Sequence, residues 1–375
     1  MPSPPPALLP ADGRFGAGPS LIRAEQITAL ASASELGTSH RKSPVKSRVG
    51  SIRSGLSTLF SLPGGFEIVL GNGGATAFWP VIASSLAREK VKAAVFGEFG
   101  AKAAADFAAA PWLDVEVVEA PAGDLAQVHD DLPVADLYAY PENETSTGVV
   151  SPLYRGAPGD ALTVVDATSI AGAHSVDWDL VDTYYFSPQK ALGSDGGLWI
   201  AVLSPAAQER ALEMNAVVHE GHAGNRYTPA FLNLAEALRN SKADQTLNTP
   251  AIATLILLDE QIQWLLANGG LAAAAQKAKA GADMIASWAD KRPYASMFVR
   301  DPALRSPVVS TVDLIPELPA AQIAAALRSV GVVDIEGYRK LGRNQLRIAS
   351  FPSIATEDIA ALLASIDWIA DSVLD

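Results

Sequence analysis

From Phe66 onward the chain alternates short runs of β-branched and aromatic residues with Ala-rich stretches of helical spacing: FEIVLGNG, ATAFWPVIASSLA, KAAVFG, AKAAADFAAA and DVEVVEA follow one another. Parallel strands cannot be joined by a tight turn, so this alternation calls for a parallel sheet with helices laid over its faces. DLYAYPENETSTG, ALTVVDATS, DTYYFSPQKAL and GGLWIAVLS extend the series. These runs are apolar on both sides, as buried parallel strands should be. In such sheets ligands lie beyond the carboxyl ends of the strands. The residues in that position are Asn72 to Thr76, Glu98 and Phe99, Asn143 to Thr145, Asp166 to Ser169, and Ser187 to Lys190, a mostly polar set.

The rest of the chain reads around that sheet. Residues 1–14, rich in proline, are expected to be a flexible lead-in, residues 15–265 a large ligand-binding domain, and residues 266–375 a smaller α+β domain. Asn248, Thr249 and Pro250 precede a long apolar stretch to Leu266, with Thr249 expected as N-cap and Pro250 as first helical residue. Beyond Asn268-Gly269-Gly270 come an Ala-rich helix, the strands SMFVRD and PVVSTVDLI, a helix around AAQIAAALRSVG, the strand QLRIAS and a last helix. No apolar run approaches the roughly 18–20 residues that span a bilayer, and a cytoplasmic protein is expected.

Charge and cysteine content narrow the chemistry. With 28 Lys+Arg against 41 Asp+Glu the net charge is −13, a field that repels nucleic acids and anionic membranes. An anionic substrate would need capture by a few local cations or backbone amides. The chain has no cysteine, which excludes disulfides, zinc–thiolate sites and thiol nucleophiles. No metal ligands are expected.

Two constellations carry chemistry. Gly71-Asn72-Gly73-Gly74-Ala75-Thr76 follows a strand and opens a helix, so its amides and the helix dipole could seat a phosphate; the same glycines would serve a tight turn needing positive φ. The Lys-Ser/Thr pair of a P-loop is missing. Asp166 and Lys190 each follow a buried strand. A buried aspartate can keep a pyridine nitrogen protonated, and a desolvated lysine can form an imine with an aldehyde; together they describe pyridoxal phosphate. Taken singly, the lysine could face solvent and the aspartate could cap a helix.

Nine segments in order resemble the phosphoserine aminotransferases of actinobacterial type, from Phe15 almost to the C-terminus: FGAGPS, GTSHRKSPV, GNGGAT, GEFG, PENETSTG, VVDATS, SPQKALG, LNTPA and QLRIAS. The resemblance implies a fold-type-I, class V pyridoxal 5′-phosphate enzyme. Its large domain would have a mostly parallel seven-stranded sheet, and its homodimer would carry the active site at the interface. It implies Lys190 as the Schiff-base lysine, Gln189 as a cofactor-phosphate ligand and Asp166 as partner of the pyridinium nitrogen. Gly74, Ala75 and Thr76 would donate to the phosphate, Thr145 would contact the region of the phenolic oxygen, and Phe99 would stack on the ring where many relatives carry tryptophan. Asn248 and Thr249 match the pair that reaches the partner's cofactor phosphate. His40, Arg41 and Arg347 match substrate-contacting positions, Arg347 for the carboxylate and His40 and Arg41 for the phosphate. HRKSPVKSR also reads as a solvated basic loop. Arg339 and Arg343, in a segment that looks longer than in other branches, and His222 and Arg226 have no firm match.

The activity so implied is transamination from glutamate to 3-phosphohydroxypyruvate, giving 2-oxoglutarate and phosphoserine in serine biosynthesis. The family can also serve 4-phosphohydroxythreonine in cofactor synthesis. The alternative within the same fold is a serine- or alanine–glyoxylate aminotransferase, which would not need His40 and Arg41 to bind phosphate. From other classes, a non-catalytic scaffold would be expected to lose Lys190 or Asp166, and a nucleotide-binding protein lacks an evident Mg²⁺ and phosphate-lysine arrangement.

Overall fold

The computed structural model describes residues 1–219 and 226–374. Two helices come first, α1 (Ala24–Ser32) and α2 (Ser43–Leu59). Strand and helix then alternate through β1 (Glu67–Asn72), α3 (Ala75–Ser85), β2 (Lys90–Val95), α4 (Glu98–Ala108) and β3 (Asp114–Glu119). β4 (Leu137–Pro141) runs into a short hairpin of β5 (Asn143–Glu144) and β6 (Val149–Val150). β7 (Leu162–Asp166), β8 (Thr183–Phe186) and β9 (Leu198–Leu203) follow, then α5 (Pro205–His219), α6 (Leu234–Lys242), α7 (Ile252–Ala267) and α8 (Gly270–Asp290). The chain ends with β10 (Ala295–Met297), β11 (Val309–Leu314), α9 (Ala320–Arg328), β12 (Gln345–Ala349) and α10 (Thr356–Leu374).

Seven strands form one sheet in the order β1-β9-β8-β7-β4-β2-β3. Alternate residues of each strand enter opposite layers: Ile68 and Leu70 pack with α2 and α7, whereas Val69 packs with α3, α5 and α6. Tyr184 and Phe186 against Tyr185, and Leu198 and Ile200 against Trp199, repeat the division. Both faces are therefore covered, which is why these runs lack a polar side. β10, β11 and β12 make a second, antiparallel sheet, and with α8, α9 and α10 it forms the smaller C-terminal α+β domain. Residues 6–14 lie against that domain: Leu8 O accepts from Ser365 Oγ at 2.9 Å, and Ala11 N donates to Asp358 Oδ1 at 2.7 Å.

Two expectations need correction. GGLWIAVLS was read with the parallel strands, but β9 runs antiparallel to both β1 and β8. A strand buried on both faces has the same pattern in either direction, and only its connections decide. The reversal brings the start of β9 to the carboxyl edge of its neighbours, where Gly73 N donates to Gly197 O at 2.9 Å. Thr249 is not an N-cap, nor is Pro250 the first helical residue. α7 begins at Ile252 with Ala251 in the cap position and no side-chain cap, because the side chain and carbonyl of Thr249 are engaged elsewhere. Among the described residues no helix is long and apolar enough to cross a membrane.

Candidate active site

At the carboxyl edge of the sheet, between β1, β4, β7 and β8, lies a cavity of about 170 Å³. Gly74, Ala75, Thr76, Phe99, Thr145, Asp166, Gln189 and Lys190 all line it, so eight of the residues singled out in the sequence converge from five separate segments. Each arrives there because a buried strand ends and the chain must turn.

The floor of one end is the first turn of α3. Gly73 and Gly74 have φ of +125° and +101°, a region other residues rarely adopt. This turn starts α3 with the amides of Gly74, Ala75 and Thr76 finding no acceptor among the described residues. Three open amides at a helix N-terminus form an anion seat. Gln189 stands beside it, its Oε1 taken by Ser187 Oγ, which leaves the amide nitrogen for a ligand.

Lys190 projects into the cavity after β8. Its Nζ donates to Ala17 O at 3.1 Å and Thr145 Oγ1 at 3.4 Å, and stands 5.2 Å from the centre of the Phe99 ring. Burial of the ammonium, reinforced by the nearby charge of Arg347, pulls its pKa down to about 8. About a tenth is therefore unprotonated and nucleophilic at pH 7, far more than for an exposed lysine. Gly18 leaves the lysine room, since a Cβ there would come 2.9 Å from Lys190 Cε.

Asp166, at the end of β7, is held from two sides. Its Oδ1 accepts from Thr168 N at 2.9 Å and its Oδ2 from the buried Tyr185 hydroxyl at 2.8 Å, which in turn accepts from Trp79 Nε1 at 3.1 Å. These donors fix the orientation of the carboxylate. Two polar atoms beside it, Thr168 Oγ1 and Asn143 Oδ1, are shielded from water and unpaired among the described residues. Unsatisfied buried atoms are costly unless something supplies their partners.

His40, Arg41, Asn248 and Thr249 do not line this cavity; they gather in a neighbouring cluster. Thr249 Oγ1 lies 3.0 Å from His40 Nδ1, and Asn72 Nδ2 donates to Asn248 Oδ1 and to Thr249 O, the latter at 3.2 Å. Arg41 donates to Gln245 Oε1 at 2.7 Å, Thr246 O at 3.1 Å and Leu247 O at 2.7 Å, so here its guanidinium clamps the loop before α7. His40 Nε2 is shielded and unpaired among the described residues, and burial with the Arg41 charge lowers its pKa. Asn72 joins the cluster to the glycine turn.

Arg347, on β12, borders the site from the small domain. Its NH1 reaches Thr145 O at a long 3.5 Å, its Nε is shielded and unpaired, and no ion pair holds it among the described residues. Its guanidinium carbon lies 5.4 Å from the Tyr338 ring, and that ring lies 6.1 Å from the Phe99 ring. A half-buried guanidinium without a carboxylate is poised for one from a ligand. Arg343 is occupied by Asp313, at 3.0 and 2.6 Å. Arg339 is exposed. Arg226 donates to the carbonyls of Ala87 and Arg88, well away from the cavity lining. His222 lies outside the described residues. Tyr185, Trp79 and Tyr338 were not singled out. Tyr185 sits one residue from the inner-face aromatics of DTYYF, a usable signal, whereas nothing in GYRKLGRNQ marks Tyr338.

The aminotransferase class-V family model matches residues 20–339. The chain is 50% identical over 367 residues to a putative phosphoserine aminotransferase of Mycolicibacterium vanbaalenii, covering 97% of each, and 50% identical over 371 residues to a phosphoserine aminotransferase of Nocardioides sp., again covering 97% of each. Among solved structures, a phosphoserine aminotransferase of Cytophaga hutchinsonii superimposes with a TM-score of 0.86 at 23% identity, over 95% of this chain and 99% of that one. A pyridoxal phosphate-bound phosphoserine aminotransferase of Trichomonas vaginalis gives 0.80 at 19% identity, over 95% and 99%. These structural likenesses carry the fold.

Proposed function

The chain is an aminotransferase of class V and belongs to the phosphoserine aminotransferase family, and from that premise we propose that it carries an amino group from glutamate to 3-phosphohydroxypyruvate on pyridoxal 5′-phosphate. The products are 2-oxoglutarate and phosphoserine. The observation that carries this reading is the meeting of the Lys190 amine, the Asp166 carboxylate and the three open amides of Gly74 to Thr76 in one cavity.

The residues fit the cofactor. The unpaired Thr168 Oγ1 and Asn143 Oδ1 are polar atoms that only a polar guest can satisfy, and the open turn of α3 suits its phosphate. Gly74, Ala75, Thr76 and Gln189 would hold that phosphate, Asp166 would face the ring nitrogen, and Phe99 would offer its ring face. When bound, pyridoxal 5′-phosphate supplies an aldehyde carbon that accepts the amino group and a ring that draws electrons from the substrate Cα.

The protein's part is proton handling and orientation. Lys190 Nζ, with its pKa near 8, can accept the proton leaving the substrate Cα and return it without a large penalty in either direction. Thr145 Oγ1 and Ala17 O keep that amine aimed inward. Asp166, braced by Tyr185 and Thr168, would pair with the ring nitrogen when the cofactor is bound. Arg347 would fork onto the substrate carboxylate. His40 and Arg41, with Asn248 and Thr249, lie outside the cavity of their own chain, which supports a homodimer in which this cluster serves the partner's site.

The test is a visible absorption spectrum of the purified protein titrated first with glutamate and then with 3-phosphohydroxypyruvate. The cofactor band should change with the first and recover with the second. No band, or recovery with glyoxylate but not with the phosphorylated acid, would overturn the proposal.

A further inference from the structure

Two helices open at the edge of this site, and their N-termini are treated oppositely. The first amides of α3 are open, whereas those of α4 are all taken by side chains from the β5–β6 hairpin. Glu98 N donates to Ser146 Oγ at 3.0 Å, and Phe99 N and Gly100 N both donate to Glu144 Oε2 at 3.0 Å. The other oxygen of that carboxylate, Oε1, accepts from Ser146 N at 3.1 Å and Ser146 Oγ at 2.7 Å. Glu144 is fully buried. The N-cap residue of α4, Gly97, contributes no side-chain cap, and a Cβ there would come 2.2 Å from Glu144 Cγ.

Helices are ordinarily capped by a serine or aspartate at the N-cap itself, and here Glu144 occupies the space such a side chain would need. Burying a carboxylate is expensive, and desolvation pushes the pKa of Glu144 upward. What the buried carboxylate adds is a rigid link between two walls of the cavity. On one side it holds the first turn of α4, which carries Phe99. On the other its own carbonyl accepts from Thr147 N at 3.2 Å and Gly148 N at 2.9 Å, closing the turn that presents Thr145 to Lys190.

We propose that Glu144 is a positioning residue of the active site: its buried carboxylate, with Ser146, locks the first turn of α4 to the hairpin so that Phe99 and Thr145 keep one spacing around Lys190 and the bound cofactor. The assignment rests on the cofactor reading above. It acts through hydrogen-bond geometry, because four donors converge on one carboxylate and an amide in its place must turn an NH₂ group toward two of them.

The experiment measures the dissociation constant of pyridoxal 5′-phosphate, and the visible circular dichroism of the bound cofactor, for the wild type, Glu144→Gln, Phe99→Ala and the double variant. Thermal melts check folding. Glu144→Gln should bind about tenfold more weakly, the scale of lost charge-assisted hydrogen bonds, with a diminished visible dichroic band. The two losses should not multiply in the double variant, because both pass through the same ring. Unchanged affinity and dichroism in Glu144→Gln, or losses that multiply in the double variant, overturn the proposal. If Glu144→Gln fails to fold, Ser146→Ala decides: it removes the cap on Glu98 N and one donor to the carboxylate. A weaker, less dichroic complex then supports the role, and an unaltered one overturns it. A wild type that binds no pyridoxal 5′-phosphate would instead overturn the cofactor reading, a distinguishable result.

Discussion

Replacing Lys190 with methionine should stabilise the cofactor-free protein at pH 7 while abolishing transamination. The ammonium sits in the cavity with its pKa drawn from 10.5 to about 8 by burial and by Arg347, a displacement worth on the order of 3 kcal/mol. The unfolded chain binds more protons than the folded one between those two values, so this penalty is complete below pH 8 and fades as pH rises toward 10.5. Methionine keeps the length of the side chain without the charge, but it strands Ala17 O and Thr145 Oγ1, which costs roughly 1 kcal/mol. The net expectation is a gain of about 2 kcal/mol at pH 7, near 2–3 °C in melting temperature for a chain of this size. Denaturant titrations of both cofactor-free proteins at equal concentration, at pH 7 and pH 10, would measure it. The difference between the two proteins should shrink across that interval; a constant difference, or a variant less stable at pH 7, would refute the idea of a charge held against desolvation.

Other substitutions probe the remaining contacts. Asp166→Ala should weaken pyridoxal 5′-phosphate binding and slow proton transfer by at least about tenfold, read from cofactor titration and single-turnover rates. Arg347→Lys should raise KM for glutamate and for the oxo acid together, by about tenfold, because a point charge loses the fork that a carboxylate fits; an effect on only one substrate would argue against a shared carboxylate anchor. Gly74→Ala places a side chain at φ +101°, so stability should fall by about 1 kcal/mol or more and phosphate-dependent cofactor affinity should drop with it. His40→Gln should narrow the preference for phosphorylated over unphosphorylated acceptors, measured as a ratio of kcat/KM values, and an unchanged ratio would move the phosphate site elsewhere.

How far the chain could be read depended on the range of the forces involved. Strand and helix alternation, the two-sided burial of β1, β4, β7 and β8, and the polar residues at strand exits are local patterns, legible because a sheet covered on both faces needs apolar side chains at consecutive positions. Eight cavity residues followed from that logic and from motif order, since Gly74 must turn where a strand meets a helix and Asp166 and Lys190 must emerge where buried strands stop.

Other features depended on distant partners. β9 carries the same two-sided apolar pattern in either direction, and only its slot between β1 and β8 made it antiparallel. Thr249 has the chemistry of an N-cap, yet His40 and Asn72 claim its side chain and carbonyl, so α7 starts later. Arg41 reads as a free cation, but the loop before α7 occupies its guanidinium. The sequence by itself thus determined a doubly covered α/β sheet and the residue types at its carboxyl edge. Tertiary structure alone decided which of those groups stay unpaired, because partners such as His40 and Asn72 of Thr249 are brought in by folding from 209 and 177 residues away.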